Sequence, residues 1–266
     1  MTINGPLVMG ILNLTPDSFY DGGTYKNNDA ILKAVEIMLH DGASIIDIGG
    51  QSTRPNAALI SEEVELERTL TAIQKIHTYF PEAILSIDTF RSVVAESAIQ
   101  EGVSIINDIS AGTEDERIYE VASKYSCPIV LMHRQGSFDT MHQDIFYKDL
   151  MVEVLDYFFK KINHLKTVGV KDIIVDPGFG FSKSIEQNYH LLKHLEVFAQ
   201  LEKPILVGLS RKSMLYKLLD ISPSKALNAT SLAHLIALQQ GASILRVHDV
   251  REAMECIKIF EQFENV

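Results

Sequence analysis

Two kinds of apolar run alternate along the chain. The first kind leaves a glycine: "DGASIIDIGG", "EGVSIINDIS", "VGVKDIIVDPG" and "QGASILRVHDV" start at Gly42, Gly102, Gly169 and Gly241 and run through β-branched residues to a polar one. Each glycine closes an amphipathic stretch, as the residue just past a helix does. The second kind, "GPLVMGILN", "FPEAILSIDT", "CPIVLMHRQ" and "KPILVGLSRK", begins at Pro6, Pro81, Pro128 and Pro204. Proline is tolerated at a strand's first residue, where no ladder donor is lost. Pro6 and Pro204 lie three repeats apart, as do Gly42 and Gly241, giving a mean period of about 66 residues. That length holds two strands and two helices, so the pattern predicts eight strands alternating with helices. The predicted class is α/β, a single (β/α)8 barrel of the TIM type over residues 1–266, with an open doubly wound sheet as the alternative.

Composition narrows the function. Of 266 residues, 46% are apolar, enough for a large core. The net charge of −11 argues against a nucleic-acid binder, which needs a basic face to displace counterions, and disfavours anionic membranes. An anion site must therefore be a local basic cluster. Cys127 and Cys256 form neither a disulfide framework nor a metal-ligand spacing. With no basic leader pattern and no membrane-length apolar run, the expectation is a cytoplasmic protein.

In such barrels the active site lies at the C-terminal ends of the strands. Those ends read Asn13, Asp47, Asp88, Asn107 with Asp108, His133, Asp176, Ser210 to Lys212, and Arg246 with His248. Any one of them has a mundane use as a helix cap or a partner for a neighbour's charge, Asp47 above all. Together they predict a polar catalytic mouth.

Asp88, Asn107 and Asp176 come from three strands. Two carboxylates and an amide suit a flat ligand that presents N–H donors with an acceptor beside them, such as an amino-pyrimidinone edge. Metal or acid–base work is the other use of paired carboxylates. Arg54, Arg246 and His248 stand at strands 2 and 8, on either side of Asn13 on strand 1, and suit a di-anion such as diphosphate. An Asn13 oxygen can also ligate Mg²⁺ beside phosphate and water. The competing use of Arg246 is an ion pair with Asp249.

Asp176 raises a question of its own, because a carboxylate ending an apolar strand is costly without a partner. None stands adjacent in sequence, so the expected partner is the ligand. The stretch "LSRKSM" straddles a helix start, where an anion is favoured. In "GFGF", Phe179 or Phe181 is either a stacking wall or core. Residues 14–28 and 49–61 read as long loops of the kind that cover sites, the first carrying Phe19 and the second Pro55. The acidic run "SEEVELER" reads as solvated helix surface.

These motifs together resemble the dihydropteroate synthase family, from "MGILNLTPDSFYDGG" through "IDIGGQSTRP", "SIDTFR", "IINDIS", "LMHRQG", "VDPGFGF" and "SRKS" to "RVHDV". The resemblance implies a (β/α)8 barrel, usually a homodimer. The implied reaction joins 6-hydroxymethyl-7,8-dihydropterin diphosphate and p-aminobenzoate into 7,8-dihydropteroate in folate biosynthesis, with Mg²⁺ and with sulfonamides as competitors. By motif it implies that Asp88, Asn107, Asp176 and Lys212 bind pterin. Arg54, Arg246 and His248 match the diphosphate site, and Asn13 the metal site. Thr53, Phe181 and Ser213 match positions around p-aminobenzoate, with Phe19 and Pro55 on the covering loops. Lys212, Asp176 and Arg246 are the implied catalytic residues. Tyr20, Asn56 and Ser182 depart from the commoner family pattern, and all three fall in loops. A corrinoid-dependent methyltransferase barrel shares the Asp/Asn/Asp trio without needing the Arg54, Arg246 and His248 cluster. A catalytically idle pterin-binding barrel could dispense with Lys212 and the long loops.

Overall fold

The computed structural model describes residues 3–14, 24–52, 57–138, 140 and 146–265. Its strands are β1 Leu7–Asn13, β2 Ile45–Gly49, β3 Ile84–Asp88, β4 Ile105–Asp108, β5 Ile129–Met132, β6 Ile173–Asp176, β7 Leu206–Val207 and β8 Ile244–Val247. All paired neighbours run parallel, in the order β6-β5-β4-β3-β2-β1-β8-β7. A parallel bridge between Val175 and Ile205 joins the two ends, and the Val175 N–H donates to the Pro204 carbonyl at 2.9 Å across that seam. The sheet therefore closes into a barrel, and the open alternative is ruled out.

The helices are α1 Thr24–His40, α2 Glu62–Tyr79, α3 Ser92–Gln100, α4 Ile118–Lys124, α5 Leu150–Val168, α6 Ile185–Lys193, α7 Ser213–Leu218, α8 Leu227–Gln239 and α9 Val250–Glu264. Each repeat glycine falls within two residues of a helix end. Gly169 caps α5 at φ 94°, a left-handed conformation that costs a residue without Cβ little. Pro6 and Pro128 directly precede strands, and Pro204 precedes the bridging Ile205. Pro81 instead lies in a turn three residues before β3.

Two readings need correction. Residues 24–28 belong to α1 and not to the preceding loop. Their polar, asparagine-bearing sequence hid the helix, which has its apolar residues further along. "SEEVELER" is not simply solvated surface, because Glu65 is fully buried and paired with Arg91. Ser61 in the same run caps α2 by accepting from the Val64 N–H.

Strand alternation divides the core. Met9, Ile45, Ile105, Val130, Ile174, Leu206 and Ile244 form a buried cluster inside the barrel. Their chain neighbours Ile46, Ile106, Leu131, Val175, Val207 and Leu245 belong to the larger cluster packed with the helices. Because side chains alternate faces, residues two positions further along return to the interior one level higher. Those residues include Asp47, Asn107, Asp176, Gly208 and Arg246.

Candidate active site

At that upper level the charges are wired together. Arg246 donates from Nε to Asp47 Oδ2 and from Nη2 to Asp88 Oδ2, both at 2.7 Å. Asn107 Nδ2 donates to the same Asp47 oxygen at 2.9 Å. Barrel stagger explains the reach. Arg246 pairs in register with Met9 on β1, whereas Asp47 pairs with Ile11, so the long arginine side chain spans a two-residue offset to reach its partners. Burial pushes the Asp88 carboxyl up to about 7, against the pull of Arg246. The carboxylates in turn hold Arg246 firmly charged despite its burial.

Asp249, the competing partner considered for Arg246, is bound instead by Arg211, at 2.9 and 2.8 Å. Asp47 does serve as a partner for a neighbour's charge, and it ties the network together. Its Oδ1 is buried without a partner among the described residues. A Cβ on Gly49 would make ordinary contacts, 3.5 Å from Asp88 Cβ and 3.6 Å from Asn13 Oδ1, so both side chains border this strand end.

The second group is the loop after β6. The Gly178 N–H donates to Asp176 Oδ1 at 2.8 Å, so Asp176 has a partner two residues away and not only in a ligand. The turn geometry that brings this amide back requires glycine: Gly178 has φ 74°, and a Cβ would lie 2.0 Å from the His133 carbonyl oxygen. Burial raises the Asp176 carboxyl, opposed by Gly178 and by the charges of Lys212, Arg246 and Lys183. Lys212 Nζ lies 4.2 Å from the centre of the Phe181 ring. Burial draws the Lys212 ammonium down to about 8, with Asp176 resisting. Phe181 joins Phe90, Ile109 and Met132 in a small apolar cluster beside the charges, with Phe138 packed against it. Phe179 belongs to the main core, so of the two phenylalanines it is Phe181 that lies beside Lys212.

Ser210 Oγ lies 3.0 Å from His248 Nδ1, joining β7 to β8. Burial and Arg246 draw the His248 imidazole down to about 4, so it is neutral at pH 7 and offers hydrogen bonds without charge. Ser213 opens the six-residue α7, and Lys212 is its N-cap. Asn13 ends β1 half-buried, and its amide makes no hydrogen bond among the described residues. A Cβ on Gly208 would meet nothing within 4 Å, so this inward position leaves open space beside the polar groups. Phe19, Thr53, Arg54 and Pro55 lie outside the described residues, as do Tyr20 and Asn56.

Two buried cations were not singled out from sequence. Arg134 donates to the Ile109 and Gly136 carbonyls at 3.1 and 2.7 Å and to Glu114 at 2.5 Å. Lys183 donates to the carbonyls of Gly178 and Phe181, each at 3.1 Å, and of His133 at 3.3 Å. The place of Arg134 within "LMHRQG" and of Lys183 two residues after "VDPGFGF" was the available signal.

A closed barrel with carboxylates, an amide and cations converging on its C-terminal mouth defines a small-molecule enzyme of the barrel class. The family described as pterin binding enzyme matches residues 9–248. The chain is 41% identical to the dihydropteroate synthase of Escherichia coli K12 over 98% of this chain and 93% of that protein. It superposes on the Yersinia pestis dihydropteroate synthase in complex with a sulfonamide drug, with TM-score 0.92 and 40% identity over 100% and 96% of the two chains. Against the Xanthomonas albilineans enzyme with 4-aminobenzoic acid the TM-score is 0.93 at 35% identity, over 100% and 96%. The chain belongs to the pterin-binding enzymes and, within them, to the dihydropteroate synthase family. It is accordingly a transferase of folate biosynthesis.

Proposed function

We propose that the chain joins 6-hydroxymethyl-7,8-dihydropterin diphosphate to p-aminobenzoate, forming 7,8-dihydropteroate and diphosphate. The observation that carries this reading is the convergence of Asp88, Asn107 and Asp176 with Lys212 and Arg246 at one mouth. The two carboxylates and the amide receive the pterin's N–H groups, and Lys212 supplies a donor on the Asp176 side. Arg54, Arg246 and His248 hold the diphosphate. Phe181, Ser213, Thr53 and Pro55 border the aminobenzoate, and Phe19 covers it.

In the reaction the bond from the exocyclic methylene carbon to the diphosphate oxygen breaks with its electron pair on oxygen. The arylamine nitrogen then bonds to that carbon and loses a proton. Placed charges stabilise the departing diphosphate and the carbon it leaves, in keeping with electrostatic preorganisation as the largest catalytic contribution. Neither cysteine stands at the mouth, since Cys127 precedes β5 at the opposite end and Cys256 lies on α9.

Mg²⁺ fits this donor set as a diphosphate-bound ion. The Asn13 amide oxygen is without a hydrogen bond among the described residues, and it and Asp88 both come within 4 Å of a Cβ built on Gly49; Mg²⁺ prefers a few protein oxygens with phosphate and water. Bound there, it would neutralise charge on the diphosphate. We further propose a cytoplasmic homodimer that binds sulfonamides in competition with p-aminobenzoate. The test is direct. Protein mixed with Mg²⁺, pterin diphosphate and p-aminobenzoate should release diphosphate, and a lack of release under these conditions would overturn the reading.

A further inference from the structure

Ser182 departs from the common family pattern, and Lys183 is a buried cation to which the reaction assigns nothing. Both lie in the loop after β6. Lys183 is 6% exposed, and its ammonium donates to three carbonyls from two loops: His133 at the end of β5, and Gly178 and Phe181 in the turn after β6. Ser182 bridges the same two loops. Its Oγ donates to the Gln135 carbonyl at 2.6 Å and accepts the Gln135 N–H at 3.1 Å. The Tyr147 hydroxyl donates to the Ser182 carbonyl at 3.0 Å. Ser182 holds φ 51°, a left-handed conformation that a non-glycine residue keeps only when its surroundings over-determine it. These bonds provide that determination.

The bonded groups are the ones that shape the mouth. Gly178, whose carbonyl Lys183 holds, donates its N–H to Asp176. Phe181, whose carbonyl Lys183 also holds, carries the ring beneath Lys212. Lys183 thus reaches the side chain of Asp176 through one backbone amide and the ring of Phe181 through one carbonyl. Buried polar networks of this kind rigidify when every member is satisfied.

We propose that Lys183 and Ser182 form a clamp between the loops after β5 and β6, with Lys183 a positioning residue that holds Asp176 and Phe181 ready for the pterin. The proposal rests on the pterin reading of the site. Lys183 itself touches no reacting atom, so its loss should act on substrate binding and leave the chemical step alone.

The experiment measures calorimetric affinity for 6-hydroxymethyl-7,8-dihydropterin and steady-state kinetics with its diphosphate, on the unaltered protein, Lys183→Met and Ser182→Gly. Lys183→Met keeps an unbranched side chain one atom shorter and removes the donors. Ser182→Gly removes the two bonds to Gln135 while relaxing the turn, so it tests the clamp even if Lys183→Met fails to fold. Lys183→Met is expected to weaken pterin binding about tenfold and raise KM for the diphosphate similarly, with kcat within about threefold. Ser182→Gly is expected to weaken binding about threefold. Unchanged affinity in either folded variant overturns the clamp. A loss of kcat at constant KM also overturns it, by placing Lys183 in the chemical step. Failure of the unaltered protein to bind pterin would instead overturn the site's assignment.

Discussion

The barrel interior has two layers built from the same strands, and they obey opposite rules. In the lower one, Met9, Ile45, Ile105, Val130, Ile174, Leu206 and Ile244 fill the axis with apolar volume. Two residues along, Asp47, Asn107, Asp176 and Arg246 place three charged groups and an amide. The lower layer is stabilised by burial and close packing, which need nothing from outside. The upper one is stabilised by mutual pairing of groups that are costly to bury singly. One layer holds the barrel shut, and the other leaves a polar cavity floor with an open position at Gly208.

Removing the cation that ties the upper layer should have the largest effect. Arg246→Ala strands Asp47 and Asp88 and should cost about 3–5 kcal/mol in urea unfolding. Adding Asp47→Ala should then cost less than it does alone, because the uncompensated charge goes with it. Additive losses would show that the pair is not coupled.

The lower layer should respond in stability only. Ile174→Ala should lower unfolding free energy by about 2–5 kcal/mol through lost burial and a cavity. Pterin affinity of the folded fraction should stay within about threefold, and a larger loss would mean that the layers are not separable. Asp176, two residues on, should show the reverse. Asp176→Asn should weaken pterin binding by about 2–5 kcal/mol in calorimetry with the melting temperature little changed, because the charged acceptor is lost while the loop amide keeps an oxygen partner.

Gly208→Val tests the open floor. Overfilling a site costs about 1–3 kcal/mol, so pterin affinity should fall about tenfold or more while the fold persists. Equal affinity would move the ligand away from β7.

A pH dependence separates the buried ammonium groups from both layers. Lys183 and Lys212 have folded values of about 7 and about 8 against an ordinary 10.5. Between these limits the unfolded chain binds more protons, so stability should rise with pH from about 7 towards 10. Below about 7 the penalty for burying both ammonium groups is fully present. Thermal melts should show this rise, and Lys183→Met should flatten it.

Repeat and strand polarity were legible in the chain because both are local. Glycine and proline mark helix and strand ends through their own backbone limits, and β-branched runs between them mark buried strands. A repeat of strand–helix pairs then leaves few ways to bury both faces of a parallel sheet, and the closed barrel is one of them. Asp88, Asn107 and Asp176 followed as strand ends facing one mouth.

The partners did not follow. Whether Arg246 meets Asp249 next door or Asp47 and Asp88 across the barrel depends on the stagger between β8, β1 and β2, which adjacent residues do not encode. Lys183 was not singled out because its three acceptors are backbone carbonyls, and carbonyls have no sequence signature. Asp176 seemed unpartnered because its nearest donor is a main-chain N–H that only a left-handed turn brings back. The sequence by itself determined which residues reach the mouth, through side-chain period and strand direction. Tertiary structure alone decided which of them bind one another, because burial forces each charge to the nearest available partner and only the closed barrel sets what is nearest.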